Sequence, residues 1–204
     1  MNLLVSAIVA IVGPLVVTTA VGRDVTPPTS QHLASKKGEG GAAHEEAPLL
    51  GTLVFTHTGE HVVLDDTSPS QDRFDALLAD RVTLQLHAID PRLLDVLRRL
   101  AHHHLGVRIE IVSGYRSEKL NEMLRKKGHH VASHSQHSLG HAVDFRLIEN
   151  REAQDGVEGR GIDPREIELE LREMGWDGGV GVYLSEGDWF THADVGPNRR
   201  WNGQ

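Results

Sequence analysis

The chain has 204 residues, which is enough for one ordinary domain together with additional segments. A formal net charge of −8 provides no basic stripe for a phosphate backbone, so the composition argues against a nucleic-acid-binding protein. The sequence contains no cysteine, which excludes disulfides, thiolate metal sites and cysteine nucleophiles. Histidine is abundant instead, with fourteen copies, most of them between His87 and His141.

Residues 1–22 form an almost uninterrupted apolar segment, which is typical of a secretory signal peptide or a membrane anchor. The small residues Thr18, Thr19 and Ala20 suit cleavage, whereas the apolar run is just long enough to span a bilayer, so both interpretations stay open. Either one predicts an exported protein that is periplasmic or associated with the cell envelope. Residues 23–48 lack hydrophobic periodicity and predict a flexible linker, either a membrane tether or a passive tail.

Residues 49–204 predict one domain of mixed secondary structure. Asp90-Pro91 and Asp163-Pro164 each place an N-cap before a proline at the first helical position, so a helix is expected after both. Strands are expected where the sequence is rich in β-forming or alternating apolar residues. In chain order, the prediction is a hairpin at 51–56 and 61–64, helices at 71–80 and 91–105, a strand at 107–112, a helix at 117–127, a strand at 142–148, a helix at 164–174, and a hairpin at 180–184 and 189–195.

Two histidines and one aspartate stand out as candidate metal ligands. His137 and Asp144 are seven positions apart, and His192 follows about fifty residues later. Because alternate residues of a strand share a face, Asp144 and His192 converge if their strands are neighbours, and Gly140 allows the preceding loop to bring His137 back to the same point. Two neutral imidazoles and one carboxylate are common ligands of a catalytic Zn²⁺, with a further position open for water. The pattern permits this site but does not require it.

Four blocks of the sequence carry a resemblance to a known family. They are residues 113–117, 135–145, 178–183 and 190–201, within a stretch of similarity from 49 to 201. Together they resemble the LAS-type zinc metallopeptidases, which include D-Ala-D-Ala carboxypeptidases and the hedgehog domain. The closer resemblance is to the family of murein endopeptidase K, whose members are exported and cut peptidoglycan cross-links. The resemblance implies an α+β fold, in which a small antiparallel sheet has helices packed on one side.

The resemblance also implies roles for individual residues. His137, Asp144 and His192 match the zinc ligands of the family. Arg116 matches an arginine that holds the substrate or the developing oxyanion, which agrees with the ability of a guanidinium to stabilise negative charge. Ser135 is expected to orient a ligand or bind substrate, with a simple turn residue as the alternative. Tyr183, together with other aromatic residues near the C-terminus, is a candidate to line a groove for the substrate peptide.

The general base is the point at which the sequence departs from the family pattern. Several relatives have a glutamate three residues before the last histidine, where this chain has Trp189. Asp194 shares a strand face with His192, so it is a candidate base or proton shuttle, and alternatively a hydrogen-bonding partner that holds His192. Glu186, in the turn between the last two predicted strands, is the second candidate base, with a solvated turn residue as the alternative.

The function predicted from these residues is zinc-dependent hydrolysis of peptide cross-links in peptidoglycan by a metal-activated water. One alternative is a zinc-stabilised cell-wall-binding module without catalysis, which the missing glutamate favours. Another is a D,D-carboxypeptidase or dipeptidase that trims free peptide ends. The sequence leaves open whether a D,D or an L,D linkage is cut, and it predicts no oligomeric state.

Overall fold

A computed structural model describes residues 48–127, 135–149 and 159–203 of the chain. The predicted signal or anchor, and all of the predicted linker except its last residue, lie outside the described residues. Within the described ranges, none of the helices has the length and apolar character needed to cross a membrane.

The domain is built around one seven-stranded sheet. Its strands are β1 Gly51–Phe55, β2 Glu60–Leu64, β3 Val107–Ser113, β4 Ala142–Ile148, β5 Gly179–Leu184, β6 Trp189–Asp194 and β7 Arg200–Asn202, in the spatial order β2-β1-β3-β4-β6-β5-β7. Among the described residues, four α-helices accompany the sheet: α1 Gln71–Leu77, α2 Pro91–His103, α3 Glu118–Lys126 and α4 Pro164–Glu173. The predicted α+β fold class is confirmed.

The sheet is mixed, whereas the expectation was an antiparallel sheet. β1 pairs in parallel with β3, and β5 pairs in parallel with β7. The first parallel pair arises because β2 returns the chain to the end of the sheet at which β1 begins, and α1 and α2 then lead it back to that end for the start of β3. β7 was not predicted, since a strand of three residues is too short to show an alternating pattern.

The helix starts agree with the capping signals in the sequence. Asp90 and Asp163 each accept a hydrogen bond from a backbone N–H of the first helical turn, and a proline follows each of them. Ser70 and Ser117 cap α1 and α3 in the same way. α1 ends at Leu77 and does not reach Asp80, because the Asp80 carboxylate organises the turn that follows.

The two faces of the sheet have different roles. Val143, Phe145 and Leu147 of β4 are buried in a core that also contains Leu97 of α2 and Ile167 of α4. Ala142, Asp144 and Arg146 alternate with the core residues and therefore lie on the opposite face. Polar side chains on that face are thus held by a rigid strand whose other face is fully packed.

Asp80 fastens the loop after α1 to the start of α3. One carboxylate oxygen accepts hydrogen bonds from the backbone N–H groups of Val82 and Thr83, at 2.8 and 2.7 Å, and the other accepts from the backbone N–H of Ser117 at 2.7 Å. Burial alone would raise the pKa of this fully buried acid, but the hydrogen bonds from Ser117, Thr83 and Val82 outweigh it and lower the pKa to about 2. The ionised carboxylate therefore stabilises the segment that leads to Arg116.

We predict that Asp80→Asn lowers the free energy of unfolding at pH 7 by about 2 kcal/mol, because an amide cannot accept all of these hydrogen bonds. A folded-state pKa below the unfolded value means that this stabilisation is present above pH ~4 and is lost as the pH falls toward 2. Urea denaturation at pH 7 and at pH 3 measures the difference, with the exposed Asp95→Asn as control. If the difference in free energy of unfolding between Asp80→Asn and the wild-type protein is the same at pH 3 as at pH 7, the stabilising role of the ionised Asp80 carboxylate is wrong.

Candidate metal centre

The three candidate ligands meet at one buried point. His137 Nε2 lies 3.2 Å from Asp144 Oδ1 and 3.2 Å from His192 Nδ1, and His192 Nδ1 lies 2.7 Å from Asp144 Oδ1. Each of the three residues is less than a tenth exposed. Among the described residues, this is the one group of three or more histidine and acidic side chains arranged to share a metal ion.

Strand pairing and a tight turn produce this convergence. β4 and β6 are antiparallel neighbours, and Asp144 is directly paired with His192. His137 lies in a 3₁₀ helix, Gln136–Leu139, immediately before β4. Gly140 ends that helix with φ of 70°, and a Cβ at this position would lie 2.2 Å from the backbone oxygen of Ala88. Only glycine satisfies both requirements, which confirms the predicted turn.

The second nitrogen of each imidazole has its own acceptor. His137 Nδ1 lies 2.7 Å from the backbone oxygen of Gly114, and His192 Nε2 lies 3.0 Å from Asp194 Oδ2. A carbonyl oxygen only accepts, so His137 must donate from Nδ1 and present a lone pair at Nε2. A neutral His192 that donates to Asp194 likewise presents a lone pair at Nδ1. Two nitrogen lone pairs and a carboxylate oxygen then face one another.

Such a donor set fits a divalent cation. Zinc bonds to nitrogen and oxygen ligands in a tetrahedral site place the ligand atoms about 3.3 Å apart. Two of the separations here are 3.2 Å, and the third, between His192 Nδ1 and Asp144 Oδ1, is shorter at 2.7 Å. Burial and the positive charge of Arg116 lower the pKa of His137 to about 4, which keeps this imidazole in the neutral form that a metal requires. Burial would raise the pKa of Asp144, but its interactions with His137 and Arg116 hold it well below its usual range.

Arg116 reaches the centre through Asp144. Its Nη2 donates to Asp144 Oδ2, its Nε donates to Ser113 Oγ at 2.9 Å, and its backbone N–H donates to the His137 oxygen at 3.2 Å. Nη1 has no hydrogen-bond partner among the residues that the structure describes. Arg116 thus orients the candidate ligand Asp144, and its Nη1 group is available to donate hydrogen bonds to another molecule.

Asp194 is completely buried behind His192. Its Oδ2 accepts from His192 Nε2 and, at 3.0 Å, from Arg199 Nη2, while its Oδ1 accepts from the backbone N–H of Gly196 at 2.8 Å. Burial would raise the pKa of Asp194, but its hydrogen bond and charge interaction with His192, together with Gly196 and Arg199, lower it. Burial also opposes protonation of His192, whose pKa is nevertheless raised by hydrogen bonds to Asp144 and Asp194.

The remaining candidate residues lie at different distances from the centre. Ser135 caps the 3₁₀ helix, with its Oγ accepting from the backbone N–H of His137 at 3.3 Å. Tyr183 stacks on Phe190, with ring centroids 4.4 Å apart. Glu186 is exposed in the β5–β6 turn, and no contact within the described part of the chain links it to the three ligands. The strand register places it about 10 Å or more beyond His192.

Position 189 faces away from the centre. Because side chains alternate along β6, Trp189 shares a face with the core residue Ala193 and not with His192. A Cβ added to Gly161 would lie 2.5 Å from the Trp189 ring, so the indole covers that glycine. The residue that replaces the family glutamate is therefore not directed at the three ligands.

Sequence reasoning missed Arg199 and the backbone oxygen of Gly114. Arg199 lies in the irregular stretch between β6 and β7, where no periodicity indicates the direction of a side chain. Gly114 acts through its carbonyl, which every residue possesses, so its identity carries no signal. Both contacts depend on the tertiary fold.

Known proteins resemble this chain over most of its length. A family model described as peptidoglycan L,D-endopeptidase MepK matches residues 50–201. The chain is 34% identical over 162 residues to the peptidoglycan L,D-endopeptidase MepK of Escherichia coli, an alignment that covers 76% of this chain and 80% of that protein. It is 32% identical over 150 residues to the probable peptidoglycan L,D-endopeptidase MepK of Haemophilus influenzae, covering 72% of each chain. No solved structure matches significantly. The chain therefore belongs to the MepK family of peptidoglycan L,D-endopeptidases.

Proposed function

We propose that this protein hydrolyses L,D linkages in the peptide cross-links of peptidoglycan, using a Zn²⁺ ion held by His137, Asp144 and His192. The observation that carries the proposal is the convergence of three lone-pair-bearing atoms at one buried point. The names of the two relatives support the substrate and the choice of L,D over D,D. They also favour an endopeptidase over an enzyme that trims free ends.

When bound, zinc supplies a Lewis acid that activates water and polarises the scissile carbonyl. The protein's contribution is to hold the ligands before any substrate arrives. The Gly114 oxygen fixes the ring of His137, Asp194 fixes the ring of His192, and Arg116 fixes the Asp144 carboxylate. The Nη1 amine of Arg116 is the group proposed to bind the carbonyl oxygen as negative charge develops on it.

For Asp194, we propose the positioning role over that of general base. Both of its oxygens already accept hydrogen bonds, and the residue is fully buried beneath His192. A base must reach the water or the leaving amine, whereas this carboxylate reaches the back of a ligand. Ser135 is proposed to hold the His137 segment, and Tyr183 to form part of the substrate groove. For Glu186, its exposure and its distance along the hairpin support the role of a solvated turn residue.

The binding-module alternative rested on the missing glutamate. Position 189 lies on the other face of β6, so its identity does not distinguish a module from an enzyme. The substrate proposed here lies outside the cytoplasmic membrane, so we also propose an exported protein, with residues 1–22 as the signal or anchor. Retention of that segment would make residues 23–48 a membrane tether.

We expect His137→Ala to lower zinc occupancy severely and to abolish release of peptides from purified cell wall, because one of three ligands is lost. Metal content by mass spectrometry and product analysis by liquid chromatography are the measurements. His102→Ala is the matched control, since this exposed histidine hydrogen-bonds to Asp66 at the surface. Wild-type levels of peptide release by the metal-free variant would overturn the proposed function.

For Asp194→Asn, we expect zinc affinity to fall about 10- to 100-fold, while kcat at saturating zinc falls much less. The amide preserves the shape of the side chain but weakens the hydrogen bond that orients His192. A general base behaves in the opposite way, with kcat lowered about 10²- to 10⁴-fold at unchanged zinc affinity. Competition with a chelating dye gives the affinity, and turnover at several zinc concentrations gives kcat.

A further inference from the structure

Arg199 is a partly exposed cation at the edge of the metal centre. Its Nη2 donates to Asp194 Oδ2 at 3.0 Å, and its guanidinium carbon lies 5.1 Å from the centre of the Trp201 ring. The side chain is 47% exposed, although the carboxylate it contacts is fully buried. Nε and Nη1 have no hydrogen-bond partner in the part of the chain that the structure describes. Arg199 therefore has Nη2 engaged with Asp194, while Nε and Nη1 are available to donate hydrogen bonds to a ligand.

An aromatic shelf, formed by Tyr183, Phe190 and Trp201, adjoins this arginine. The Trp201 ring lies 5.2 Å from the His192 ring, and its Nε1 donates to Tyr183 Oη at 3.3 Å. Tyr183 stacks on Phe190 in turn, and all three rings are partly exposed. A ligand bound at the metal centre would thus have an apolar surface on the His192 side, with a cation against it.

The charges around the centre are balanced before any metal binds. Arg116 is paired with Asp144, and Arg199 is paired with Asp194. A divalent cation would therefore keep its double positive charge at this point, on a chain whose net charge is −8. A locally positive site attracts an anionic substrate and holds it against the repulsion of the acidic surface.

Arg199 is the better placed of the nearby arginines to meet such a substrate. Arg200, its neighbour in sequence, contacts Glu168 and the backbone oxygens of Gly178 and Trp176. Arg116 is only 15% exposed and is engaged with Asp144. Arg200 thus holds the fold, while Arg116 holds a candidate ligand and, as proposed above, faces the scissile carbonyl.

We propose that Arg199 binds a free carboxylate of the wall peptide next to the scissile bond, while the aromatic shelf packs against the aliphatic part of the same residue. This inference rests on the proposed function for the identity of the substrate. Peptidoglycan peptides carry free carboxylates on their D-residues and diamino acids, close to the linkages that join them. Guanidinium is the side-chain group best suited to hydrogen-bond a carboxylate while it stacks on an indole. Arg199 thereby selects peptides with a free acid over their amidated forms.

The test uses two matched peptides in which a non-cleavable isostere replaces the scissile amide. One carries the free carboxylate and the other carries a carboxamide at the same position. Calorimetry with the zinc-loaded wild-type protein should give a dissociation constant at least about tenfold lower for the carboxylate. Arg199→Met should remove this preference, and Arg199→Lys should retain part of it. Arg165→Met, at an exposed arginine of α4 that contacts Asp163, should leave the preference unchanged.

Two results would overturn the inference. One is equal binding of both peptides, or of neither, by the wild-type protein. The other is an equal loss of affinity for both peptides in Arg199→Met, which would mean that Arg199 acts only through Asp194. Cleavage of the two corresponding peptides that retain the scissile amide is measured separately. A wild-type protein that prefers the carboxylate peptide but cleaves neither form would refute the proposed hydrolase and leave carboxylate recognition standing.

Discussion

The structure depends on the convergence of His137, Asp144 and His192 at one buried point. With both imidazoles neutral, as a metal requires, two nitrogen lone pairs and a carboxylate oxygen repel one another when they are held about 3 Å apart in a medium of low dielectric constant. Burial also removes the water that would otherwise compensate these groups. A bound cation converts the repulsion into three attractive contacts. In these protonation states the arrangement is costly as an empty core and favourable as a metal site, and the raised pKa of His192 reflects the same need for a positive charge at this point.

The rest of the domain keeps these groups from relaxing apart. The ladder between β4 and β6 fixes Asp144 opposite His192, and the packed core on the other face of β4 prevents the strand from rotating. The carboxylate of Asp194 and the carbonyl of Gly114 restrain the two imidazoles from behind. Each restraint uses a partner of fixed position, since Asp194 is itself held by a backbone N–H and by Arg199. The site is therefore organised before a substrate binds.

The sequence was sufficient to predict the parts of this site that depend on local patterns. Alternation along β4 and β6 indicated that Asp144 and His192 converge on one face of the sheet if the two strands are neighbours. Capping residues marked the starts of α2 and α4. The parallel pairing of β1 with β3 was missed, because a strand's partner is determined by the path of the chain and not by its own residues. Arg199 was missed for a related reason, since irregular backbone gives no period from which to infer direction.

Two glycines on β5 leave room for groups of the candidate site, although neither glycine contributes a ligand. Gly179 and Gly181 lie on the site face of the strand, while Val180 and Val182 alternate with them on the core face. A Cβ at Gly179 would lie 2.5 Å from the Asp194 carboxylate, and one at Gly181 would lie 2.6 Å from the Trp201 indole. Glycine weakens an isolated strand, so two on one face indicate that other groups approach the backbone closely. Here those groups are the Asp194 carboxylate behind His192 and the Trp201 ring beside it, so β5 provides the space that the candidate metal centre requires.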